Sequence, residues 1–159
     1  MPGGPFESAA AAVRPLDDGA VAEAAVRSDR LTKPPGSLGR LERIAAQLAG
    51  IAGRCPPPVP APAAVAVFAA DHGVVAEGVT NWPAEVTAQM VANFAAGGAA
   101  INVLARHMGA RVVVVDVGVA GSIPAVAGER LLRRGVRPGT ANLAAEPAMT
   151  PTECGAALD

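Results

Sequence analysis

Apolar residues recur at two different periods along this chain, and the change of period divides it into two parts. Leu38, Leu41, Ile44, Ala45, Leu48 and Ile51 fall every three or four residues, the spacing of one helix face. That pattern predicts an amphipathic helix from an N-cap at Ser37 to the glycines Gly50 and Gly53, with its apolar face packed on another element. Ahead of it, Asp17 to Ser28 reads as an Ala-rich helix whose first turn carries Asp17 and Asp18, placed to favour its positive end. The loop Leu31-Thr-Lys-Pro-Pro-Gly-Ser separates the two. Pro56 to Pro62 is too rich in proline for regular structure and reads as a connector.

Beyond the connector the periodicity changes. Ala63 to Ala70 is a continuous apolar run closed by Asp71-His72-Gly73, the pattern of a parallel strand buried on both faces. Trp82-Pro83-Ala84-Glu85 predicts a helix with Pro at its first position, running to about Phe94. Gly97-Gly98 punctuates it, and a second helix is expected over Ala99 to Met108. Arg111 to Val115, with its run of valines ahead of Asp116, predicts a second buried strand. Glu129 to Arg134 predicts a third, more exposed strand, and Val136 to Pro147 a loop. Thr150-Pro151-Thr152-Glu153 has capping-box form, so a helix starts there and is cut short at Asp159, as in a truncated chain. Strand, helices, strand is the order of an α/β fold: a parallel Rossmann-like sheet with flanking helices, preceded by a small helical subdomain. The expected division is residues 1–55 helical, 56–62 connector and 63–159 an incomplete α/β domain.

Composition narrows the partners. Hydrophobic residues make up 51% of the chain, but with three Phe, one Trp and no Tyr any core must be built from small side chains. A net charge of -1 leaves no electrostatic footprint for a polyanion, so no nucleic-acid partner is expected. Cys55 and Cys154 have no metal-ligand spacing, which points to a reduced cytoplasmic protein. The start lacks a signal-peptide pattern. The longest apolar run, Val59 to Ala70, falls short of the roughly 20 residues of a membrane span, so no membrane is expected either.

Candidate chemistry gathers after the first strand. Asp71 and Asp116 each end a strand, where open parallel sheets bind ligands. Asp71-His72 has the residue types of a metal or acid/base pair, against the plainer reading that Asp71 caps a loop through backbone N–H groups. Glu77, Thr80, Asn81, Trp82, Glu85, Thr87, Gln89 and Asn93 set polar groups beside apolar ones, a mixture that suits a small planar heterocycle against the wall of Trp82. The plainer alternative makes Thr80 and Asn81 turn residues and Gln89 a solvent-facing helix position. Gly36 and Gly39 lack the context of a phosphate-binding loop, and Lys33, the only lysine, has the choice of a salt bridge or a phosphate contact against surface solvation, the commoner fate of a lysine. No Ser/His/Asp or Cys/His nucleophile arrangement is legible.

Taken in order, Leu31-Thr-Lys-Pro-Pro-Gly-Ser-Leu-Gly-Arg-Leu-Glu, Phe68-Ala-Ala-Asp-His-Gly-Val, Glu77-Gly-Val-Thr-Asn-Trp-Pro, Glu85-Val-Thr-Ala-Gln-Met, Asp116-Val-Gly, Gly139-Thr-Ala-Asn and Pro147-Ala-Met-Thr resemble the nicotinate-nucleotide:dimethylbenzimidazole phosphoribosyltransferase family. The resemblance implies that residues 63–159 are the first part of a phosphoribosyltransferase domain. It implies transfer of ribosyl 5-phosphate from nicotinate mononucleotide to 5,6-dimethylbenzimidazole, giving α-ribazole 5-phosphate and nicotinate in cobalamin lower-ligand synthesis, with no metal and no cofactor. It further implies that Thr80, Trp82 and Gln89 surround the accepting base, that Asp71, His72 and Asp116 support the loops, and that the helical part with the Lys33 loop helps form a homodimer. The family's glutamate base and glycine-rich nucleotide loop lie beyond Asp159, so no catalytic residue is assigned and the chain alone is expected to be inactive. The alternatives are a non-catalytic base-binding or oligomerisation module, from a split or degenerate enzyme, and a metal-dependent hydrolase using Asp71, His72 and Asp116.

Overall fold

The computed structural model describes residues 4–124 and 131–159. The chain folds as two compact units, Met1–Ala61 and Pro62–Asp159.

The first unit contains three helices. α1 (Pro5–Ala11) was not anticipated from the Gly/Pro-rich start; Pro5 occupies its first turn, where its missing N–H costs nothing, and alanines continue it. α2 (Asp18–Asp29) is capped by Asp17, whose carboxylate accepts the Ala20 N–H at 2.8 Å. α3 (Arg40–Ala52) starts after Gly39 and ends at the left-handed Gly53, so Ser37 is not its cap. The reason lies in the preceding loop, where Glu42 accepts the Leu38 N–H at 3.2 Å and pairs with Lys33 at 2.8 Å. Lys33 is thereby drawn out of solvent, with a side chain only 11% exposed, contrary to the expected surface lysine. The two bonds from Lys33 and Leu38 hold the Glu42 carboxyl below its ordinary pKa, the Lys33 bond contributing most. α2 and α3 meet where Ala49 and Gly50 are buried, and the Asp17 N–H donates to the Gly50 carbonyl. The anticipated apolar face of α3 is used only in part: Leu41, Ile44 and Ile51 stay exposed.

The second unit is a parallel sheet in the order β1-β2-β3: β1 (Ala64–Ala70), β2 (Arg111–Gly118) and β3 (Leu131–Arg133). Glu129 and Arg130, at the start of the anticipated third strand, lie outside the described residues. Between β1 and β2 run α4 (Glu85–Ala96) and α5 (Ala100–His107), and α6 (Pro151–Leu158) follows β3. α4 begins two residues after Pro83, whose carbonyl accepts the Val86 N–H in a tighter opening turn. Gly97, at φ +84, ends α4 in the left-handed conformation. Buried Asn102 then ties the helices together, accepting the Ala99 N–H and donating to the Phe94 carbonyl. The stretch Glu85–His107 is apolar enough to resemble a membrane span by composition. It is nevertheless two helices of 12 and 8 residues, each short of the roughly 20 needed, with Ala88, Val91 and Ala105 in the core.

Register decides which sheet face is covered. Val65 pairs with Val112 and Val67 with Val114, and these residues meet Ala88, Val91 and Ala105 of the two helices. Ala66 pairs with Val113 and Phe68 with Val115 on the opposite face. There Phe68 is 69% exposed and Leu132 is 40% exposed. The anticipated burial of β1 on both faces is therefore corrected: its residues alternate between exposed and half-buried, because α4 and α5 both pack on one side.

Candidate functional site

The loop beyond the carboxyl end of β1 and the segment that follows β3 are knitted together by backbone bonds. Asp71 donates its N–H to the Gly118 carbonyl and accepts the Thr140 N–H, while Gly73 donates to the Thr140 carbonyl at 3.1 Å. His72 and Thr140 form a parallel bridge. Farther out, the Asn142 amide donates to Glu77 at 2.6 Å. Gly73 is required here by space: a Cβ would lie 2.6 Å from Ala141 C and Asn142 N, both backbone atoms.

The strand-end aspartates are buried and occupied. One Asp71 carboxylate oxygen accepts the Ala120 N–H at 2.8 Å. Asp116, which lies inside β2 rather than at its end, accepts the N–H groups of Gly118 and Val119 at 3.1 and 2.9 Å. A carboxylate holding backbone donors fixes loop shape, and Arg133 stands 3.9 Å from the second Asp116 oxygen. Exposed His72 faces a cavity of about 190 Å³ shared with Asp71, Arg137, Thr140 and Met149. Among the described residues no group of three His, Cys, Asp or Glu side chains is arranged to hold a metal. Cys55 and Cys154 are free thiols.

The larger concavity is a groove of about 380 Å³ between β1, the loop after it and α4. Thr80 and Trp82 stand on its loop side, Val86, Thr87 and Met90 on its helix side, and Val67, Phe68 and Ala69 along β1. Its size lies within the usual range for small-molecule sites, about 300–1,000 Å³. The lining is mostly apolar, with Thr80, Thr87 and Asp71 as its polar residues. Thr80 accepts the Trp82 N–H at 3.2 Å, which fixes the turn and leaves the hydroxyl proton to donate. Trp82 is 72% exposed, its ring presented rather than packed. Gln89 is not brought to this groove: it is exposed on α4 and is absent from the lining, unlike Met90 one position on. The sequence reading did not anticipate Phe68, Val86 and Met90 as walls. Val86 and Met90 could have been found from their spacing of four, which sets both on one helix face.

A family model described as phosphoribosyltransferase matches residues 13–159. The nicotinate-nucleotide–dimethylbenzimidazole phosphoribosyltransferase of Salinispora tropica is 52% identical across 97% of this chain, and that of Thermus thermophilus is 55% identical across 90%. The chain spans 46% and 42% of the lengths of these two relatives. The crystal structure of the Thermus thermophilus enzyme superposes with a TM-score of 0.82 at 54% identity, covering 89% of this chain and 42% of that one. With the ordered motifs, the parallel sheet and these matches in agreement, the chain belongs to the nicotinate-nucleotide:dimethylbenzimidazole phosphoribosyltransferase family.

Proposed function

We propose that this chain supplies the accepting-base side of a phosphoribosyl transfer site. The reaction moves ribosyl 5-phosphate from nicotinate mononucleotide to 5,6-dimethylbenzimidazole, giving α-ribazole 5-phosphate and nicotinate in cobalamin lower-ligand synthesis. The bond from the ribose C1 to the pyridinium nitrogen breaks, a benzimidazole nitrogen bonds to C1, and the benzimidazole N–H proton is released. The cationic pyridinium is a good leaving group, so the site must mainly orient the base and accept that proton. The observation that carries this reading is the groove of about 380 Å³, with Trp82 and Thr80 on one wall and aliphatic side chains opposite. A flat apolar wall with a hydroxyl donor suits a bicyclic heterocycle with one free nitrogen lone pair. Thr80 and Trp82 form the base wall on this reading, Gln89 lies off it, and Asp71, His72 and Asp116 hold the loops. Its partners are nicotinate mononucleotide and a benzimidazole, in the cytoplasm, with the helical unit serving a homodimer.

Asp71 is the one carboxylate among the groove's lining residues, and it already accepts the Ala120 N–H. That bond assigns Asp71 to the loop, and on this reading residues 1–159 bind the base without turning it over. Trp82 is the only Trp and Tyr is absent, so intrinsic fluorescence reports directly on the groove. Saturable quenching on titration with 5,6-dimethylbenzimidazole is expected; an unchanged spectrum up to the solubility limit sinks the binding assignment. Formation of α-ribazole 5-phosphate by this chain on its own would overturn the second half of the reading.

A further inference from the structure

Three polar residues line the groove, and two of them are already committed. The Asp71 carboxylate accepts the Ala120 N–H at 2.8 Å, and the Thr80 hydroxyl accepts the Trp82 N–H at 3.2 Å. Thr87 is the third. It stands half-buried in the first turn of α4, and among the described residues its hydroxyl has no hydrogen-bonding partner. Among those residues no fully buried side-chain oxygen lacks a partner, so this unpaired hydroxyl is reachable from outside the protein. A threonine inside a helix often returns its hydroxyl to the carbonyl one turn back. Here the Pro83 carbonyl, four residues earlier, accepts the Val86 N–H instead. The other residues on this side of α4 are apolar: Met90, Val91 and Phe94 follow Thr87 at spacings of three, four and seven, and all line the groove. A valine has nearly the same shape and would extend that face, so packing alone gives no reason for the hydroxyl.

The chemistry leaves one part of the base free to be read. Both imidazole nitrogens are engaged, one in bonding to the ribose C1 and the other in losing its proton, so recognition by a side wall falls to the six-membered ring. We propose that Thr87 is a specificity-determining residue: its hydroxyl pairs with a hydroxyl on the six-membered ring and ranks a hydroxybenzimidazole above its methyl counterpart. The inference rests on the function proposed above, because it takes the groove to hold the accepting base. A threonine hydroxyl donates one hydrogen bond and accepts others, so it serves such a substituent in either role. A purely apolar wall separates a methyl from a hydroxyl only weakly, whereas a wall carrying a hydrogen-bonding group favours the ligand that pairs with it. Thr87 is half-buried rather than sealed from water, so the preference it confers is modest.

The test exchanges a hydroxyl for a methyl on each partner in turn. Binding of 5-hydroxybenzimidazole and of 5-methylbenzimidazole to the full 159-residue chain is measured by calorimetry, then repeated with Thr87→Val and Thr87→Ser. The parent chain is expected to hold the hydroxy base more tightly. Thr87→Val is expected to shift the ratio of the two affinities by about fivefold toward the methyl base. Thr87→Ser, which keeps the hydroxyl, is expected to retain the parent's ratio. Should Thr87→Val fail to fold, Thr87→Ala removes the same hydroxyl, and a loss of folded protein common to both bases cancels in the ratio. Equal weakening of both bases by Thr87→Val would make the residue merely structural and overturn the proposal, while leaving the groove as the base site. A preference that Thr87→Ser loses as fully as Thr87→Val would overturn it too. If neither base bound the parent chain, the assignment of the groove itself would fall and take this inference with it.

Discussion

At the scale of single residues, the loop junction depends on an atom that is missing. Gly73 lies so close to residues 140–142 that a methyl group would meet backbone, which cannot swing aside as a side chain can. Gly73→Ala is therefore expected to cost about 1–3 kcal/mol. The loss should appear as a lower Tm and as faster exchange at the Thr140 amide, which donates to Asp71; a variant with the parent's Tm would show that the junction yields freely. The groove makes a contrasting pair of predictions. Trp82 lines it and Gln89 does not. Trp82→Ala is expected to weaken 5,6-dimethylbenzimidazole binding by up to about tenfold by calorimetry, and Gln89→Ala to leave it within error. A large loss at Gln89 with none at Trp82 would move the base off the groove. The polar cluster after the first strand was legible as a candidate site because turn and apolar residues alternate there. Which of its members share a cavity was not, because that depends on where α4 settles against β1.

At the scale of elements, helix starts and strand ends were legible where a local chemical reason exists. Thr150 illustrates it: its hydroxyl accepts the Glu153 N–H at 3.2 Å and the Glu153 carboxylate accepts the Thr150 N–H at 2.8 Å, the reciprocal pair that the motif announces. α6 buries no residue, so this cap is a large share of what holds it. Thr150→Ala is expected to destabilise the helix by about 1 kcal/mol. Several-fold faster amide exchange over Cys154–Leu158, with β2 unchanged, would register it; equal exchange rates would mean that other contacts hold α6. Ser37 failed as a cap for a reason no motif reveals, since Glu42 reaches back to Leu38 and Lys33 and shifts the helix start to Arg40. The open face of β1 was illegible for a different reason. A continuous apolar run states that both faces avoid water but not which polypeptide covers them, and Phe68 is apolar and exposed at once.

At the scale of the whole molecule, among the described residues each of the two units carries one carboxylate whose pKa is depressed by local bonds: Glu42 in the first, held chiefly by Lys33, and Glu153 in the second, held chiefly by the Thr150 N–H. A lowered folded-state pKa means that the unfolded chain takes up protons first as pH falls. The stabilisation is therefore complete above the unfolded pKa and disappears as pH drops through the folded value. Both units should weaken in acid over the range below about pH 5, and because both groups are partly exposed, added salt should shrink the effect. The two carboxylates share no hydrogen-bonding partner, so their effects should separate by unit. Hydrogen exchange at two pH values, corrected for the intrinsic rate, tests this: Glu42→Gln should flatten the acid response of α3 and leave that of α6 untouched, while Glu153→Gln does the reverse. If Glu42→Gln flattened both, acid would be acting on the chain as one cooperative body, and the Lys33–Glu42 loop could not be the local clasp that its geometry makes it.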